Sequence, residues 1–334
     1  MRETKILCEL FLILVVISGC SGSRSGPIVY AGWNDIFAID VSAGEIIAKI
    51  PVGTRINDLE PAEDGRLMAA TANGLLIVDT DRMELSRTIP LGILDSVEYD
   101  AKRDLTYVLH HPGDDPNESQ GPHKILKLSG SDYKELGSVL LEPWIYDTFL
   151  SPSGNHIYIT QMAGRAVFRV SSDEFRKPER LWFGKGGKWE GRMVLLRHIA
   201  FSGDGSSMFV LEQGENDSTC IWNYSFKTED KTRKCLESSA KVQGMVLSAD
   251  GSRIFANGIT ELIILDSSGE EISRTRFDIE HRWIALSKDG NTVYLTAATG
   301  QEEGYITCVD TSGKVEHEWK FPTPLNVIAV ERSL

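Results

Sequence analysis

The chain has 334 residues, of which 41% are hydrophobic and 25% are charged, so its composition is that of a globular protein that can bury a large core. This composition excludes a disordered or fibrous chain. With 35 Lys and Arg against 48 Asp and Glu, the formal net charge is -13. Such an acidic chain lacks the basic surface that binds phosphate backbones, and nucleic acid is therefore excluded as a generic partner.

The amino terminus has the features of an export signal. Arg2 and Lys5 precede a short apolar run at residues 6–17. This run is shorter than the ~20 residues that a membrane-spanning helix requires, and it has the proportions of a signal peptide. We therefore expect an exported protein that does not span the bilayer.

Residues 17–20 (ISGC) follow this apolar run and resemble the lipobox of bacterial lipoproteins. The resemblance implies that residues 1–19 are removed as a signal peptide and that Cys20 is lipidated. Residues 20–26 are rich in Ser and Gly and are predicted to form a flexible tether. The expected location is extracytoplasmic, with a lipid anchor in the cell membrane or the outer membrane.

The remainder of the chain repeats one unit. An aliphatic strand ends in Ser or a similar residue, a turn with Gly follows, and the next strand is rich in β-branched and aromatic residues. From Gly65 to Gly290 the chain passes through five repeat steps of about 45 residues on average, and seven such units account for the chain after the signal.

Each unit contains four short strands, which is the content of a β-propeller blade. Residues 325–330 have the pattern of a first strand, whereas residues 28–31, 35–41 and 45–51 have the patterns of second, third and fourth strands. The sequence thus predicts an all-β, seven-bladed β-propeller over residues 27–334. Its last blade combines one carboxyl-terminal strand with three amino-terminal strands, which removes exposed sheet edges.

These repeats resemble the YVTN-type β-propeller repeats. The matching segments are residues 151–154 (SPSG), 294–296 (YLT) and 77–80 (IVDT). The resemblance implies a superfamily that includes quinoprotein amine dehydrogenase heavy chains, a lactonase group and many binding proteins. It implies a fold but no single function.

Polar residues recur at one position near the start of each first strand, where the strand meets the mouth of the central channel. This ring, which mixes Asp95 with Arg197 and Arg282, suits a small polar or anionic ligand. Alternatively, these groups are solvated or cross-link adjacent blades. The predicted ligand-binding residues at the channel mouth are Asn57, Asp95, Tyr146, Asp147, Arg197, His198, Gln243, Arg282, Trp283 and Asn326.

Two insertions interrupt the repeats on the same face. The first, residues 182–197, is Gly-rich, cationic and aromatic, and we predict that it forms a lid over an anionic or sugar-like ligand. The alternative is an exposed loop whose Trp packs on the blade. The predicted lid residues are Trp182, Lys185, Lys188, Trp189 and Arg192.

The second insertion, residues 110–123, contains side chains that can ligate metals. Its spacing matches no metal-binding motif, and adjacent His side chains in a strand point to opposite faces. We therefore expect an acidic, solvated loop and no metal. The potential ligands are His110, His111, Asp114, Asp115, Glu118 and His123.

Three cysteines remain after Cys8 and Cys20. Cys220 and Cys235 lie nearly symmetrically about a turn, so an antiparallel hairpin places them opposite each other, and a disulfide is expected in an oxidising compartment. Cys308 is expected to act as a small buried hydrophobe. The sequence contains no haem-attachment, P-loop or zinc-protease motif, and no cofactor is expected.

The favoured function is a non-catalytic binding or interaction scaffold that uses one face of the propeller. Its partner would be a small polar ligand, an envelope polymer or a protein. A hydrolase or lactonase-like enzyme is one alternative, with His198 and Asp147 as base and orienting group and Arg197 stabilising negative charge. A scaffold subunit of an amine-dehydrogenase-like redox complex is another. Whether the protein is an enzyme stays open.

Overall fold

A computed structural model describes residues 27–62, 64–111, 113, 122–161, 165–184, 194–214, 218–236, 241–299 and 302–330. Within these ranges the chain forms 28 β-strands, and none of the described residues belongs to a helix long and apolar enough to cross a bilayer. The predicted signal peptide and tether lie outside the described residues.

The strands are numbered in chain order. The first fifteen are β1 (Ile28–Gly32), β2 (Asp35–Asp40), β3 (Glu45–Pro51), β4 (Ile56–Pro61), β5 (Arg66–Thr71), β6 (Gly74–Asp79), β7 (Glu84–Ile89), β8 (Leu94–Asp100), β9 (Leu105–His110), β10 (Lys124–Ser129), β11 (Glu135–Leu140), β12 (Ile145–Leu150), β13 (His156–Gln161), β14 (Ala166–Ser171) and β15 (Glu179–Trp182). The others are β16 (Leu195–Phe201), β17 (Ser207–Gln213), β18 (Thr219–Ser225), β19 (Lys231–Cys235), β20 (Val242–Leu247), β21 (Arg253–Gly258), β22 (Glu261–Asp266), β23 (Glu271–Arg276), β24 (His281–Leu286), β25 (Thr292–Thr299), β26 (Glu303–Asp310), β27 (Val315–Phe321) and β28 (Val327–Val330).

Seven antiparallel four-stranded sheets form the blades of a β-propeller, which confirms the predicted fold. Blade 1 consists of β28, β1, β2 and β3, and blades 2 to 7 take the remaining strands in groups of four. The pairing of Val327 with Gly32 and of Val330 with Val29 closes the ring. The amino-terminal and carboxyl-terminal strands therefore share one blade, as the sequence predicted.

The hydrophobic core lies between the blades. Seven clusters of buried side chains each combine residues of two adjacent blades, and together they run around the ring. Middle strands such as β6 are continuously apolar because neighbouring blades cover both of their faces. Outermost strands such as β7 are almost entirely exposed.

The innermost strand of each blade lines the central channel. We call the end where these strands begin the top face and the opposite end the bottom face. Loops that join the second and third strands, or one blade to the next, lie on the top face.

On the bottom face, tight turns join the first and second strands. In three blades a Ser hydroxyl donates to an Asp two residues later at 2.6 Å, and a Gly with φ between 67° and 73° completes the turn. These hydroxyl contacts lower the pKa of Asp204 and Asp250 to about 2. The bottom turns are thus closed by their own side chains.

Candidate functional site

A β-bulge interrupts the start of the innermost strand in blades 2 to 7. At each bulge one residue has no partner on the adjacent strand, while its two neighbours pair with consecutive residues. A bulge of this kind changes the direction of a side chain at the rim of a barrel or site. The unpaired residues are Asn57, Asp95, Tyr146, Arg197, Gln243 and Arg282, which are positions that the alignment of the repeats selected.

The innermost strand of blade 1, β28, pairs with β1 without a bulge, and Asn326 lies just before it. The backbone N–H of Asn326 donates to the carbonyl of Gly32 at 3.0 Å. The channel mouth therefore carries one polar residue from each blade at the top face.

Several of these residues cross-link the blades. The Asn57 amide donates to the carbonyl of Leu94 at 2.7 Å, which joins blades 2 and 3. The Arg197 guanidinium donates to Gln243 Oε1 at 2.6 Å and lies 5.5 Å from the centre of the Tyr146 ring. Arg197 thus connects blades 4, 5 and 6, and the cross-linking alternative describes these four side chains.

In contrast, Arg282 and Trp283 extend into solvent. The Arg282 side chain is 62% exposed, and its guanidinium lies 3.8 Å from the equally exposed carboxylate of Glu280. Trp283 is 39% exposed. These two residues on blade 7 are the most exposed of the predicted mouth residues.

Exposed tryptophans are concentrated on the top face. Trp33 lies in the β1–β2 turn, Trp144 precedes β12, Trp182 ends β15, and Trp283 follows the start of β24. All four are between 36% and 39% exposed, and they are the only Trp side chains with such exposure in the described parts of the chain. The repeat alignment included Trp283 but did not connect it with Trp33 and Trp144.

Two of these indole rings lie near Arg side chains, and a third belongs to a residue with a left-handed backbone. The guanidinium of Arg55 lies 5.7 Å from the Trp33 ring, and that of Arg180 lies 5.2 Å from the Trp182 ring. Trp144 has a φ of 68°, a left-handed conformation that costs a non-glycine residue about 1–2 kcal/mol. The top face therefore presents aromatic and cationic groups together in an otherwise acidic protein.

Two carboxyl groups lie inside the channel wall below the mouth. Asp58 accepts hydrogen bonds from the backbone N–H groups of Leu59 and Val97, and Asp147 accepts one from Thr148. Burial raises the pKa of Asp58 to about 6. Burial, followed by the charge of Asp58, raises the pKa of Asp147 well above 3.8. Both side chains are partly exposed. Repulsion between the two carboxylates favours a proton on one of them.

His198 lies on the same level of the channel. Its ring packs edge-on against Phe149 at 4.8 Å, and burial lowers the pKa of its imidazole to about 4. Its Nδ1 atom is buried and has no hydrogen-bond partner among the described residues. The enzyme hypothesis makes His198 the base and Asp147 the group that orients it. No hydrogen bond between Asp147 and Nδ1 of His198 is present to do so.

The ends of the second insertion are buried, so the expectation of a solvated loop is wrong for them. His111 is 3% exposed and His123 is 1% exposed, and their rings meet edge-to-face at 5.2 Å. His111 Nδ1 lies 3.1 Å from Asp95 Oδ2, and His123 Nε2 lies 3.5 Å from the same oxygen. The three side chains form a cluster at the bulge of blade 3.

His110, the last residue of β9, is not part of this cluster. The sequence indicated Asp95 as a channel-mouth residue and the two His residues as part of an insertion. It did not predict that the three side chains lie together. The pairing of Leu94 with His110 across β8 and β9 is the signal that would have found it, because it places Asp95 beside the start of the insertion. Asp114, Asp115 and Glu118 lie outside the described residues.

The predicted lid is described only in part. Trp182 ends β15, while Lys185, Lys188, Trp189 and Arg192 lie outside the described residues. Cys20 also lies outside them.

The cysteines of the mature region lie in two blades. Cys220 pairs with Cys235 across β18 and β19, and a disulfide joins them at the top end of blade 5. Cys308 is buried in the cluster between blades 7 and 1.

A cavity of about 430 Å³ opens at the bottom end of the channel, opposite the predicted mouth. A second cavity, of about 420 Å³, lies between the bottom turns of blades 5 and 6. The first is lined mainly by aliphatic side chains with Glu60 and Lys288 at its rim. The recurring polar positions at the strand starts do not indicate either cavity, because both cavities lie at the opposite end of the propeller.

Comparison with known proteins supports the fold. No protein-family model and no curated protein sequence matches the chain. Among solved structures, hydrazine synthase from Kuenenia stuttgartiensis has a TM-score of 0.69 and 13% identity, and the match covers 84% of this chain and 90% of that one.

Two further structures match over most of their length. A functionally unknown protein from Desulfotomaculum acetoxidans has a TM-score of 0.68 and 16% identity, covering 93% of this chain and 100% of that one. The Cps50 (Swd1) β-propeller domain from Myceliophteria thermophila has a TM-score of 0.63 and 13% identity, covering 81% and 89%. At these identities the similarity shows a shared fold alone.

Proposed function

We propose that the protein is a lipid-anchored, extracytoplasmic scaffold whose top face binds a macromolecular partner without catalysis. The observation that carries this proposal is the placement of four exposed tryptophans, each on the top face. Aromatic residues and Arg are enriched at binding surfaces because their large, rigid side chains bury much area at low entropic cost. The side chains belong to blades 1, 4 and 7, so the surface is broad and suits a protein or an envelope polymer.

The proposed anchor is compatible with an accessible top face. The described chain begins at Pro27, immediately before the bottom end of β1. If Cys20 is lipidated, the short tether joins the propeller from its bottom side. The top face would then be directed away from the membrane that holds the anchor.

The test is a binding comparison between the two faces. The full-length chain, an Arg282→Ala/Trp283→Ala variant and a Trp33→Ala variant are incubated with purified envelope polysaccharides and peptidoglycan, and binding is measured by co-sedimentation and biolayer interferometry. Ile272→Ala is the matched control, because Ile272 is 53% exposed near the bottom end of an outermost strand.

We expect binding that the top-face substitutions weaken at least about tenfold, since central aromatic and Arg residues often contribute more than 1.4 kcal/mol each. Ile272→Ala should bind like the unmodified chain. Equal weakening by Ile272→Ala, or binding that is unaffected by both top-face variants, would contradict the proposal. The same variants applied to co-purified envelope proteins test a protein partner.

A hydrolytic function is the second candidate, and the carboxyl pair in the channel is the observation that favours it. Carboxyl groups with raised pKa values are suited to proton transfer near neutral pH. This hypothesis predicts that lactones or esters are hydrolysed and that Asp58→Asn abolishes turnover while the folded state persists. Equal turnover by Asp58→Asn would exclude it.

A further inference from the structure

The cluster of Asp95, His111 and His123 goes beyond the proposed function and does not depend on it. It is the one group of three or more His, Cys, Asp or Glu side chains in the described ranges whose donor atoms all lie within 4.8 Å of one another. Two of its members come from the ends of one insertion, and the third comes from the bulge of the adjacent strand. Their proximity is therefore a product of the tertiary structure.

The backbone holds all three positions. The N–H of His111 donates to the carbonyl of Ile93 at 2.9 Å, and the carbonyl of His123 accepts from the N–H of Leu141 at 2.8 Å. Asp95 lies between Leu94 and Ser96, both of which pair with β9. Backbone contacts within blade 3 thus hold all three residues.

The distances suit a bound ion. Ligands about 2.0–2.1 Å from a tetrahedral Zn²⁺ lie about 3.3 Å from each other. Asp95 Oδ2 is 3.1 Å from His111 Nδ1 and 3.5 Å from His123 Nε2, which are close to that separation. Small rotations of the two rings would direct both nitrogens toward an ion next to the carboxylate.

Each imidazole ring of the cluster has one nitrogen near Asp95 and one that does not contact it. The second nitrogens, His111 Nε2 and His123 Nδ1, are buried and have no hydrogen-bond partner among the described residues. Buried polar atoms are nearly always paired, because an unpaired one retains its desolvation cost. Each of the two is the ring nitrogen that does not contact Asp95, so an ion beside the carboxylate would bind the other nitrogen of each ring, and water or an outer acceptor would pair these two.

We propose that Asp95, His111 and His123 form a binding site for a divalent transition-metal ion of the Zn²⁺ class. Two imidazoles and one carboxylate favour such ions over Mg²⁺ and Ca²⁺, which prefer oxygen ligands. Three protein ligands leave a coordination position for water or an anionic oxygen. The side chain of Asp95 is 27% exposed, so solvent reaches the site from the channel mouth.

Isothermal titration with Zn²⁺ tests this proposal on the untagged full-length chain after treatment with a chelator. We expect one ion per chain, a higher melting temperature with Zn²⁺, and no displacement by a large excess of Mg²⁺. In metal sites, substitution of a residue that only hydrogen-bonds to a ligand weakens metal binding about 10–100-fold. Loss of a ligand itself, in His111→Asn or His123→Asn, should therefore weaken Zn²⁺ binding at least ~100-fold. Titration with Co²⁺ should give a visible absorption band that these variants lack.

His110→Asn is the matched control, because it removes the adjacent imidazole, which lies outside the cluster. Its affinity for Zn²⁺ should equal that of the unmodified chain. If His111→Asn fails to fold, as judged by circular dichroism, Asp95→Asn provides the same test with a nearly isosteric, partly exposed side chain. Absence of binding, or binding that survives both His substitutions, would overturn the proposal, as would equal loss in His110→Asn.

Discussion

The bottom and top faces of this propeller are built in different ways. In three blades the bottom turns share one arrangement, in which a Ser hydroxyl donates to an Asp and the turn ends in a left-handed Gly. Top-face segments differ from blade to blade and carry the bulges, the exposed tryptophans and the His cluster. The repeated face maintains the fold, whereas the varied face supplies chemistry that differs between blades.

The largest expected effect concerns the disulfide at the top end of blade 5. Cys235→Ser removes a disulfide between residues 15 positions apart and should lower the free energy of unfolding by about 3 kcal/mol in urea titrations. Reductant should destabilise the unmodified chain to the same extent and leave the variant unchanged. No effect of reductant would show that the top end of this blade is stable without the link.

Next in size is a substitution at a bottom turn. Gly290 has a φ of 73°, and an added Cβ would lie 2.9 Å from the Cβ of Ala249. Gly290→Ala should therefore cost about 2–3 kcal/mol, the sum of a left-handed backbone and a steric conflict.

Gly205 provides the matched control for this experiment. Its φ is 67°, but no atom lies within 4 Å of its added Cβ. Gly205→Ala should cost only the backbone contribution, about 1 kcal/mol, as measured by urea denaturation. An equal loss of stability at both glycines would mean that the contact between the turns of neighbouring blades adds nothing to the cost of Gly290→Ala.

The free energy of unfolding should depend on pH with opposite signs at the channel wall and at the bottom turns. The raised pKa of Asp147 gives stability that is complete below the pKa of the unfolded chain and is lost as pH rises through the folded pKa. Asp147→Asn does not ionise, so it should gain stability relative to the unmodified chain near pH 7, and the gain should shrink toward pH 4. Urea midpoints across this range provide the measurement.

Asp204 in a bottom turn should behave in the reverse manner. Its pKa is lowered to about 2, chiefly by the Ser202 hydroxyl, so its contribution is present above the unfolded pKa and is lost as pH falls through the folded value. Asp204→Asn should be less stable than the unmodified chain near pH 7, with a difference that disappears only at strongly acidic pH. The same sign at both sites would refute the assigned pKa directions.

The smallest expected effect on stability is at the exposed tryptophans. Trp283→Ala should change the free energy of unfolding by less than about 0.5 kcal/mol, as is usual for surface substitutions, while it weakens partner binding. Thermal unfolding of the free chain measures the first quantity. A large loss of stability would place Trp283 in the fold of blade 7, and the proposed binding surface would lose one of its four tryptophans.

Much of the candidate site followed from the repeat. Aligning the units on one Ser selected the six bulge residues, because a position that recurs in every blade occupies the same place around the ring. The alignment did not reveal that Asn57 and Arg197 join adjacent blades while Arg282 extends into solvent. That difference depends on the side chains of the neighbouring blade, which a single repeat does not contain.

The sequence by itself determined the number of blades, the order of strands and the closure of the ring, because turn residues and strand patterns act over a few neighbouring positions. Only the tertiary structure decided which distant side chains meet. Asp95 contacts His111 and His123 because a bulge and the two ends of an insertion converge on blade 3. Packing between strands sets the side-chain orientations there, and the local sequence pattern does not contain that information.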